Sequence, residues 1–365
     1  MKIIFLGGNF NLSGGTERVA SIIANELTKI GYEVTVASVQ GGDHPFYPLD
    51  SRIKIRSLFS KVGRNIFRTP LLIHRIRKLL LEEKADVLVS VESMLALFTV
   101  PATIGLTAKH ICWEHFSFNN DLGRRGRRIA RQLAARYCDV VVTLTARDRL
   151  CWKSKTSGTA QIIAISNPSP FPVQPITSRI NKEKVVLAVG RLVSRKGFDM
   201  LLQAWSLVAP SAEGWVLRIV GDGPEGKSLA AQAKSLGISD AVEFTGLVSN
   251  VEAHYREASI FCLSSRYEGF GMVLLEAMSF GLPVVSFDCE MGPAEVLEGT
   301  GGKLVAQGNV EELAEELLSL MGSPEERMAI SALSQGKAKL YQPNLILGEW
   351  VRIIETFEKE ASRTE

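Results

Sequence analysis

Two doubly wound α/β domains in tandem are predicted by three observations. Short apolar runs alternate with helix-period segments along the chain, the pattern of a parallel sheet covered on both faces. A break at 166–178, SNPSPFPVQPITS, holds four prolines that continue neither helix nor central strand, and the alternation restarts after it. At 365 residues the chain also exceeds one ordinary core. The predicted domains are 1–170, joined by a C-terminal helix over 345–365, and 171–344.

The elements follow in order. Residues 2–7, KIIFLG, read as a first buried strand, with a helix from about Thr16 to Ile30 stopped at Gly31. Tyr32–Ser38 alternates as the next strand, and Pro70–Glu83 is a basic helix leading to a strand at Asp86–Val91. A helix near 93–105, a strand near 109–113, a helix near 124–136 and a strand at Asp139–Leu144 complete the first half. Beyond the prolines, Lys184–Val189, Trp215–Val220, Val242–Thr245, Ile260–Leu263 and Pro283–Phe287 read as strands, with Gly197–Val208, Glu225–Leu236 and Met272–Phe280 among the helices between them. A last helix, about Leu345–Glu358, follows the Gln342-Pro343 break and is expected to return to the first domain.

Composition narrows the class. The chain is 46% hydrophobic and 22% charged, normal for a soluble globular protein. The first apolar run stops at Gly7-Gly8, so no signal peptide is expected. The longest nearly apolar run, Met94–Leu106, is too short to span a bilayer and contains Pro101. Five scattered cysteines without metal spacing read as reduced thiols of a cytosolic protein. Residues 1–180 carry 25 Lys and Arg against 13 Asp and Glu, and the remainder 17 against 26. A basic half and an acidic half suit different partners, with drift of solvated surface as the plain alternative.

Four constellations carry chemistry. Glu268 and Glu276 bracket a glycine turn and the start of an apolar helix. Main-chain N–H groups of Phe270, Gly271 and Met272 at that helix start would receive a phosphate. The carboxylates, which only accept hydrogen bonds when ionised, would take hydroxyls on either side. Glu276 stands among Leu274, Leu275, Ala277 and Met278, where a carboxylate is costly without a partner. Arg191 and Lys196 follow the first strand of the second domain, placed to clamp a diphosphate. Gly14 and Gly15 open the first long helix and would admit close approach of a ligand, although a strand–helix turn needs glycine in any case. Trp113-Glu114-His115-Phe116 follows a strand, with His115 a candidate contact to a reacting sugar and Glu114 placed to orient either that ring or the acceptor.

Two further segments leave alternatives open. Gly221-Asp222-Gly223-Pro224-Glu225-Gly226 is a literal G-x-G-x-x-G, with Glu243 about twenty residues on. It supports a second reading, a nicotinamide-dinucleotide oxidoreductase using Gly221, Gly223 and Gly226, but it follows the second strand of its domain rather than the first. A non-catalytic sugar-nucleotide-binding protein is the third reading. Residues 124–136 place Arg124, Arg127, Arg128 and Arg131 around a helix on which Ile129, Leu133 and Tyr137 recur. Such arginine density suits a pyrophosphate-linked acceptor or an anionic membrane surface. Interleaved aromatics are missing, so no nucleic-acid partner is expected.

Taken together, Gly190-Arg191-Leu192, Gly221-Asp222-Gly223-Pro224, Glu268-x7-Glu276 and Gly281-Leu282-Pro283-Val284 resemble the family 4 retaining glycosyltransferases with the GT-B fold. Gly14-Gly15-Thr16-Glu17 and Asn167-Pro168 also fit, so the resemblance spans nearly the whole chain. The subgroup suggested is bacterial surface-polysaccharide enzymes of the amylovoran type. The resemblance implies two Rossmann-like domains facing across a cleft, with a nucleotide-sugar donor held mostly by the second. It implies that Arg191 and Lys196 bind the donor diphosphate, Glu276 the ribose, and Glu268 with Phe270-Gly271 the donor sugar. The base would stack near Gly246, Leu247 and Val248, and His115 would lie near the reacting sugar. UDP is the nucleotide the family favours, and the expected acceptor is lipid-linked or polysaccharide, at the cytoplasmic membrane face. No Asp-x-Asp pair is present, so no metal and no other cofactor is expected.

Overall fold

In the computed structural model, which describes residues 1–60, 69–121, 123–175 and 183–362, the chain divides into two compact units. One comprises Met1–Pro170 with Pro343–Glu365, the other Phe171–Gln342. Residues 176–178 of the expected linker and 363–365 of the expected last helix lie outside the described residues.

The first unit runs β1 (Lys2–Gly7), α1 (Gly15–Lys29), β2 (Glu33–Ser38), β3 (Lys54–Ser57), α2 (Thr69–Glu83), β4 (Val87–Val91), α3 (Ala96–Thr103), β5 (Lys109–Trp113), α4 (Arg125–Tyr137), β6 (Val140–Thr143), α5 (Ala146–Lys155) and β7 (Gln161–Ala164). These strands form one parallel sheet in the order β3-β2-β1-β4-β5-β6-β7. The expected helix near 93–105 divides into a 3₁₀ turn at Ser93–Leu95 and the short α3, with Pro101 inside it. β3, α5 and β7 were not expected. The fault at α5 is one of pattern: its sequence ARDRLCWKSK has little apolar periodicity, yet Thr145 caps it by accepting from the Asp148 N–H at 3.0 Å.

The second unit runs β8 (Val185–Val189), α6 (Phe198–Val208), β9 (Val216–Val220), α7 (Gly226–Ser235), β10 (Val242–Gly246), α8 (Val251–Glu257), β11 (Ile260–Leu263), α9 (Met272–Ser279), β12 (Val284–Asp288), α10 (Pro293–Leu297), β13 (Lys303–Ala306), α11 (Val310–Gly322) and α12 (Pro324–Lys339). Its sheet is also parallel, in the order β10-β9-β8-β11-β12-β13. β13 is the strand missing from the expected set. The last helix, α13 (Pro343–Ala361), belongs to the first unit and packs on α1.

Strand alternation explains how α13 is held. On β1, Ile4 and Leu6 point into the core under α2, and Phe5 points the other way. Trp350 of α13 lies 6.3 Å from the Phe5 ring and 4.6 Å from the Trp113 ring, fully buried. A helix separated in sequence from the rest of its unit by the whole of the second unit therefore closes one face of that sheet.

The fold generates two predictions. Trp350→Ala removes a fully buried indole at the centre of this contact, and the loss in stability on urea unfolding is expected to be about 3–5 kcal/mol. A loss under about 1 kcal/mol would mean that α13 is held by something else. The second concerns pH. His110 is buried, its ring 3.1 Å from Ser90 Oγ and 3.4 Å from Cys138 Sγ, and burial lowers its pKa to about 4 against the opposing pull of Asp139. Between the unfolded value near 6.5 and the folded one, the unfolded chain takes a proton that the folded chain refuses. Stability from this group is therefore full above pH ~6.5 and falls by about 1.4 kcal/mol per unit as pH drops through that window. Unfolding at pH 7 and pH 5 should show a shallower fall for His110→Gln than for the native chain; parallel slopes would exclude His110 as the source.

Candidate active site

Both sheets reverse their winding once, and in open α/β sheets that reversal opens a crevice at the carboxyl ends of the two strands concerned. In the second unit the reversal lies between β8 and β11. The loop after β8 carries Gly190 and Arg191 and turns through a 3₁₀ segment, Ser194–Lys196, into α6. The loop after β11 carries Ser264–Gly271 and leads into α9.

The two loops are locked together. Gly197 has φ +65°, and an added Cβ would fall 2.0 Å from the Ser264 carbonyl oxygen, so glycine is obligatory there. Ser264 Oγ donates to the Lys196 carbonyl at 3.1 Å. Arg266 donates to both oxygens of Asp199 at 2.7 Å and to the Ser194 carbonyl. That bidentate bond holds the Asp199 carboxyl below its usual pKa.

On this platform Lys196 Nζ lies 2.6 Å from Glu268 Oε1, which also accepts from Ser265 Oγ at 2.6 Å. The sequence-predicted Lys196 and Glu268 thus meet, spanning the reversal point. Burial, and after it the Glu268 charge, pushes the nearby Cys289 thiol up to about 12. Arg191 is exposed.

Gly271, at φ +86°, opens α9 without a side-chain cap, and Phe270 beside it is buried against Tyr341. As the first residues of a helix, Met272 and its neighbours have N–H groups without intrahelical acceptors. Glu276 is buried one turn further on, with Tyr255 Oη donating to its Oε2 at 2.8 Å. Tyr255 supplies the partner that a carboxylate among apolar neighbours requires. It is a site residue that the sequence reading missed, since nothing in its spacing connects it to Glu276. Leu247, 84% exposed at the end of β10, and the half-buried Val248 stand on the loop after that strand.

The glycine motif at 221–226 has another use. An added Cβ at Gly221 would meet the Gly190 carbonyl oxygen at 2.0 Å, and one at Gly223 the Leu192 carbonyl oxygen at 2.4 Å. Leu192 N–H donates to the Asp222 carbonyl, and Glu225 N–H to that of Leu192. The close approach these glycines permit is taken up by the chain's own loop after β8, which leaves the dinucleotide reading without its phosphate cradle.

The first unit places its candidates less simply. An added Cβ at Gly14 would fall 2.1 Å from Glu17 Oε2, and Gly15 is exposed. His115 is buried with Nε2 unpartnered among the described residues, and burial holds its pKa down to about 3, so the ring is neutral. Glu114 does not orient that ring as expected. Its Oε1 accepts the main-chain N–H groups of His115 and Phe116, and its Oε2 accepts Ser93 Oγ at 2.6 Å and Arg131 Nε at 2.9 Å.

The arginine helix also needs correction. Arg127 and Arg131, expected on an acceptor or membrane face, are each only 1% exposed and pair with Glu92 and Glu114. Ile129 and Tyr137, expected as part of the apolar stripe, are 58% exposed. Ala130 and Ala134 explain the inversion: they are the small residues of the buried face, and they leave room for long guanidinium stems beneath the helix. Arg124 and Arg128 remain exposed, with Arg128 bonded to Asp121.

Comparison with known proteins agrees with this architecture. Residues 13–156 match the family model described as Glycosyltransferase Family 4, and residues 173–335 the model described as Glycosyl transferases group 1. An uncharacterized glycosyltransferase of Haemophilus influenzae is 37% identical over 97% of this chain and 99% of its own. The amylovoran biosynthesis glycosyltransferase AmsD of Erwinia amylovora is 31% identical, again over 97% and 99%. A Campylobacter jejuni α-1,4-N-acetyl-D-galactosaminyltransferase, whose name specifies a PP-undecaprenol-linked glycan, is 30% identical over 97% and 98%. Among solved structures, Anabaena HepE in complex with UDP-glucose superposes with TM-score 0.80 at 18% identity, over 98% of this chain and 100% of its own. The chain belongs to the family 4 glycosyltransferases and has their GT-B fold.

Proposed function

We propose that the enzyme transfers a sugar from a nucleotide-sugar donor, with UDP as the nucleotide, to a lipid-linked or polysaccharide acceptor in cell-surface glycan assembly, with retention at the anomeric carbon. The observation that carries the donor site is the Lys196–Glu268 pair spanning the β8/β11 crevice, beside the α9 N-terminus and the buried Glu276. The relatives' names support the acceptor class: one is named for amylovoran biosynthesis, another for a PP-undecaprenol glycan. The UDP-glucose complex of the HepE neighbour supports the nucleotide.

In this reading Glu276, already oriented by Tyr255, accepts hydrogen bonds from the ribose hydroxyls. Leu247 and Val248 flank the base. The diphosphate lies against the N–H groups at Gly271 and Met272, with Arg191 and Lys196 as cationic partners. Glu268, Phe270 and Gly271 hold the donor sugar, and His115 is the first unit's candidate at the reacting sugar. Gly14 and Gly15 approach the diphosphate or acceptor.

The C1–O bond to the β-phosphate breaks as the acceptor oxygen bonds to C1 on the same face, and the acceptor proton passes to the leaving phosphate oxygen. Negative charge grows on that phosphate, where the cations and helix dipole stabilise it without a protein base. Metal independence is part of the proposal.

Two outcomes test the site. Arg191→Ala is expected to lower kcat by about 10²–10³-fold, the range for loss of one transition-state donor. Glu276→Gln is expected to raise the donor KM by about tenfold or more, through loss of charge-assisted bonds to hydroxyls. Unchanged transfer in both would refute the assignment. In a thermal-shift screen UDP should raise the melting temperature and NADH should not; the reverse would revive the oxidoreductase.

A peripheral position on the inner membrane face is proposed from the corrected helix. Its outer side presents Arg125, Arg128 and Arg136 with Ile129 and Tyr137, a basic and apolar mixture suited to an anionic lipid surface. Among the described residues no helix is long and apolar enough to cross a membrane. Replacing Arg125, Arg128 and Arg136 by Gln together should release the protein from phosphatidylglycerol vesicles on sedimentation, while Arg127 and Arg131 stay untouched because they hold the core. Equal sedimentation of the variant would sink this reading.

A further inference from the structure

An aromatic box supports the Glu276 carboxylate. Glu276 and Phe280 stand four residues apart on α9 and its cap, so they share one face of that helix. Tyr255 of α8 lies against that face, fully buried, with its ring stacked on the Phe280 ring at 5.5 Å and 9°. A ring seated there reaches back along α9 by a helical turn, and its hydroxyl donates to Glu276 Oε2 at 2.8 Å.

Two more rings complete the box. Phe261 of β11 lies 5.9 Å from the Tyr255 ring, while its neighbour Cys262 points the other way, into the core with α6. Phe171 sits edge-on to Tyr255 at 6.2 Å and to Phe280 at 5.3 Å. Phe171 is the first residue of the second unit, and its segment is pinned to the same helices. Gln174 N–H donates to the Ser279 carbonyl at 2.8 Å, Arg256 Nη2 to Gln174 Oε1 at 2.9 Å, and Gln335 Nε2 to the Gln174 carbonyl at 2.8 Å. Gln342, the last residue of the unit, donates from Nε2 to the Phe171 carbonyl at 3.3 Å. The points where the chain enters and leaves the unit are therefore tied together at this box.

Packing alone does not require a tyrosine at 255. Its three ring partners are phenylalanines, and a fourth would fill the same space; the hydroxyl adds a bond to a buried carboxylate. A glutamate side chain turns about several bonds, and its two oxygens grip a vicinal diol together only when the carboxylate plane is set. A donor on a rigid ring sets that plane in advance, which leaves little side-chain ordering for ligand binding to supply.

We propose that Tyr255 is a positioning residue for the donor's ribose: braced by Phe171, Phe261 and Phe280, it fixes the Glu276 carboxylate so that the site takes a ribose and rejects a 2′-deoxyribose. This role rests on the reading of Glu276 as the ribose acceptor. Against a 2′-deoxyribose the fixed carboxylate keeps only one of its two ligand bonds. A carboxylate released from Tyr255 grips the diol less well and turns to follow the single 3′-hydroxyl, so it discriminates less.

Isothermal titration of the full chain with UDP and with 2′-deoxy-UDP tests this. The native protein should bind UDP roughly tenfold or more tighter, the worth of one charge-assisted hydrogen bond. Tyr255→Phe, which keeps the packing, should cut that ratio by about threefold or more, through weaker UDP binding with 2′-deoxy-UDP binding hardly changed. Phe171→Leu, which thins the brace without touching Glu276, should cut the ratio in the same direction. A merely structural role would weaken both nucleotides together or neither, and would leave the ratio alone. An unchanged ratio in either variant, where Glu276→Gln abolishes it, overturns the positioning role and leaves the ribose assignment standing. Equal binding of the two nucleotides by the native protein, unaltered by Glu276→Gln, overturns the ribose assignment and the role of Tyr255 with it.

Discussion

A parallel sheet that winds both ways from a central pair of strands must leave a gap where the two connections diverge, and the candidate donor site is positioned by such a gap. In the second unit the loops after β8 and β11 part at the reversal. They are then tied across it by Gly197 against Ser264, by Arg266 on Asp199 and by Lys196 on Glu268. The first two ties fix backbone; the third leaves a lysine and a carboxylate half-buried and oriented. A site built this way has little reorganisation to undergo when a charged ligand arrives, which is where electrostatic stabilisation is most effective.

That constraint also decides what the glycines are for. Gly221 and Gly223 look like a phosphate cradle in the sequence, but their missing side chains make room for the Gly190–Leu192 loop. Gly292, at φ +99°, would bring a Cβ within 2.3 Å of the Phe270 carbonyl oxygen, so it holds the loop before α9 in place from the other side. Glycine in these turns serves contact between backbones, and the loops that reach the ligand are shaped by that contact. The same spacing would serve a dinucleotide only if the turn lay after the first strand of its sheet, as β8 does here and β9 does not.

What could be read in advance followed from periodicity and from strong local signals. The buried strands β1, β4, β8 and β11 are continuous apolar runs, and the helices with a clear apolar face fell within a few residues of their expected ends. β3, β7 and β13 are edge strands of only four residues, each opening on Lys or Gln, too short for a strand pattern to register. For the candidate site, Glu268 and Glu276 stand out from glycine-rich and apolar surroundings, and Lys196 from its place after the first strand of its domain. Tyr255 was not, because a buried aromatic in a helix looks like core until its hydroxyl is seen on Glu276.

The arginines of α4 show why charge alone is a poor guide to surface. Arg127 and Arg131 read as solvent-facing because guanidinium is rarely buried without a partner, and the partners, Glu92 and Glu114, come from two other strands. Burying this network is costly in desolvation, and an apolar replacement of equal volume would often be as stable. It lies beside a cluster of buried Ala, Cys, Val and Trp residues, and its members are tied to one another by ion pairs. Glu114 and Arg131 satisfy each other and could be such a structural pair. Glu92 and Arg127 extend that pair into a network: Arg127 bonds Glu92, which is held at φ +102°, and lies 3.6 Å from Glu114 with its guanidinium over the Phe116 ring.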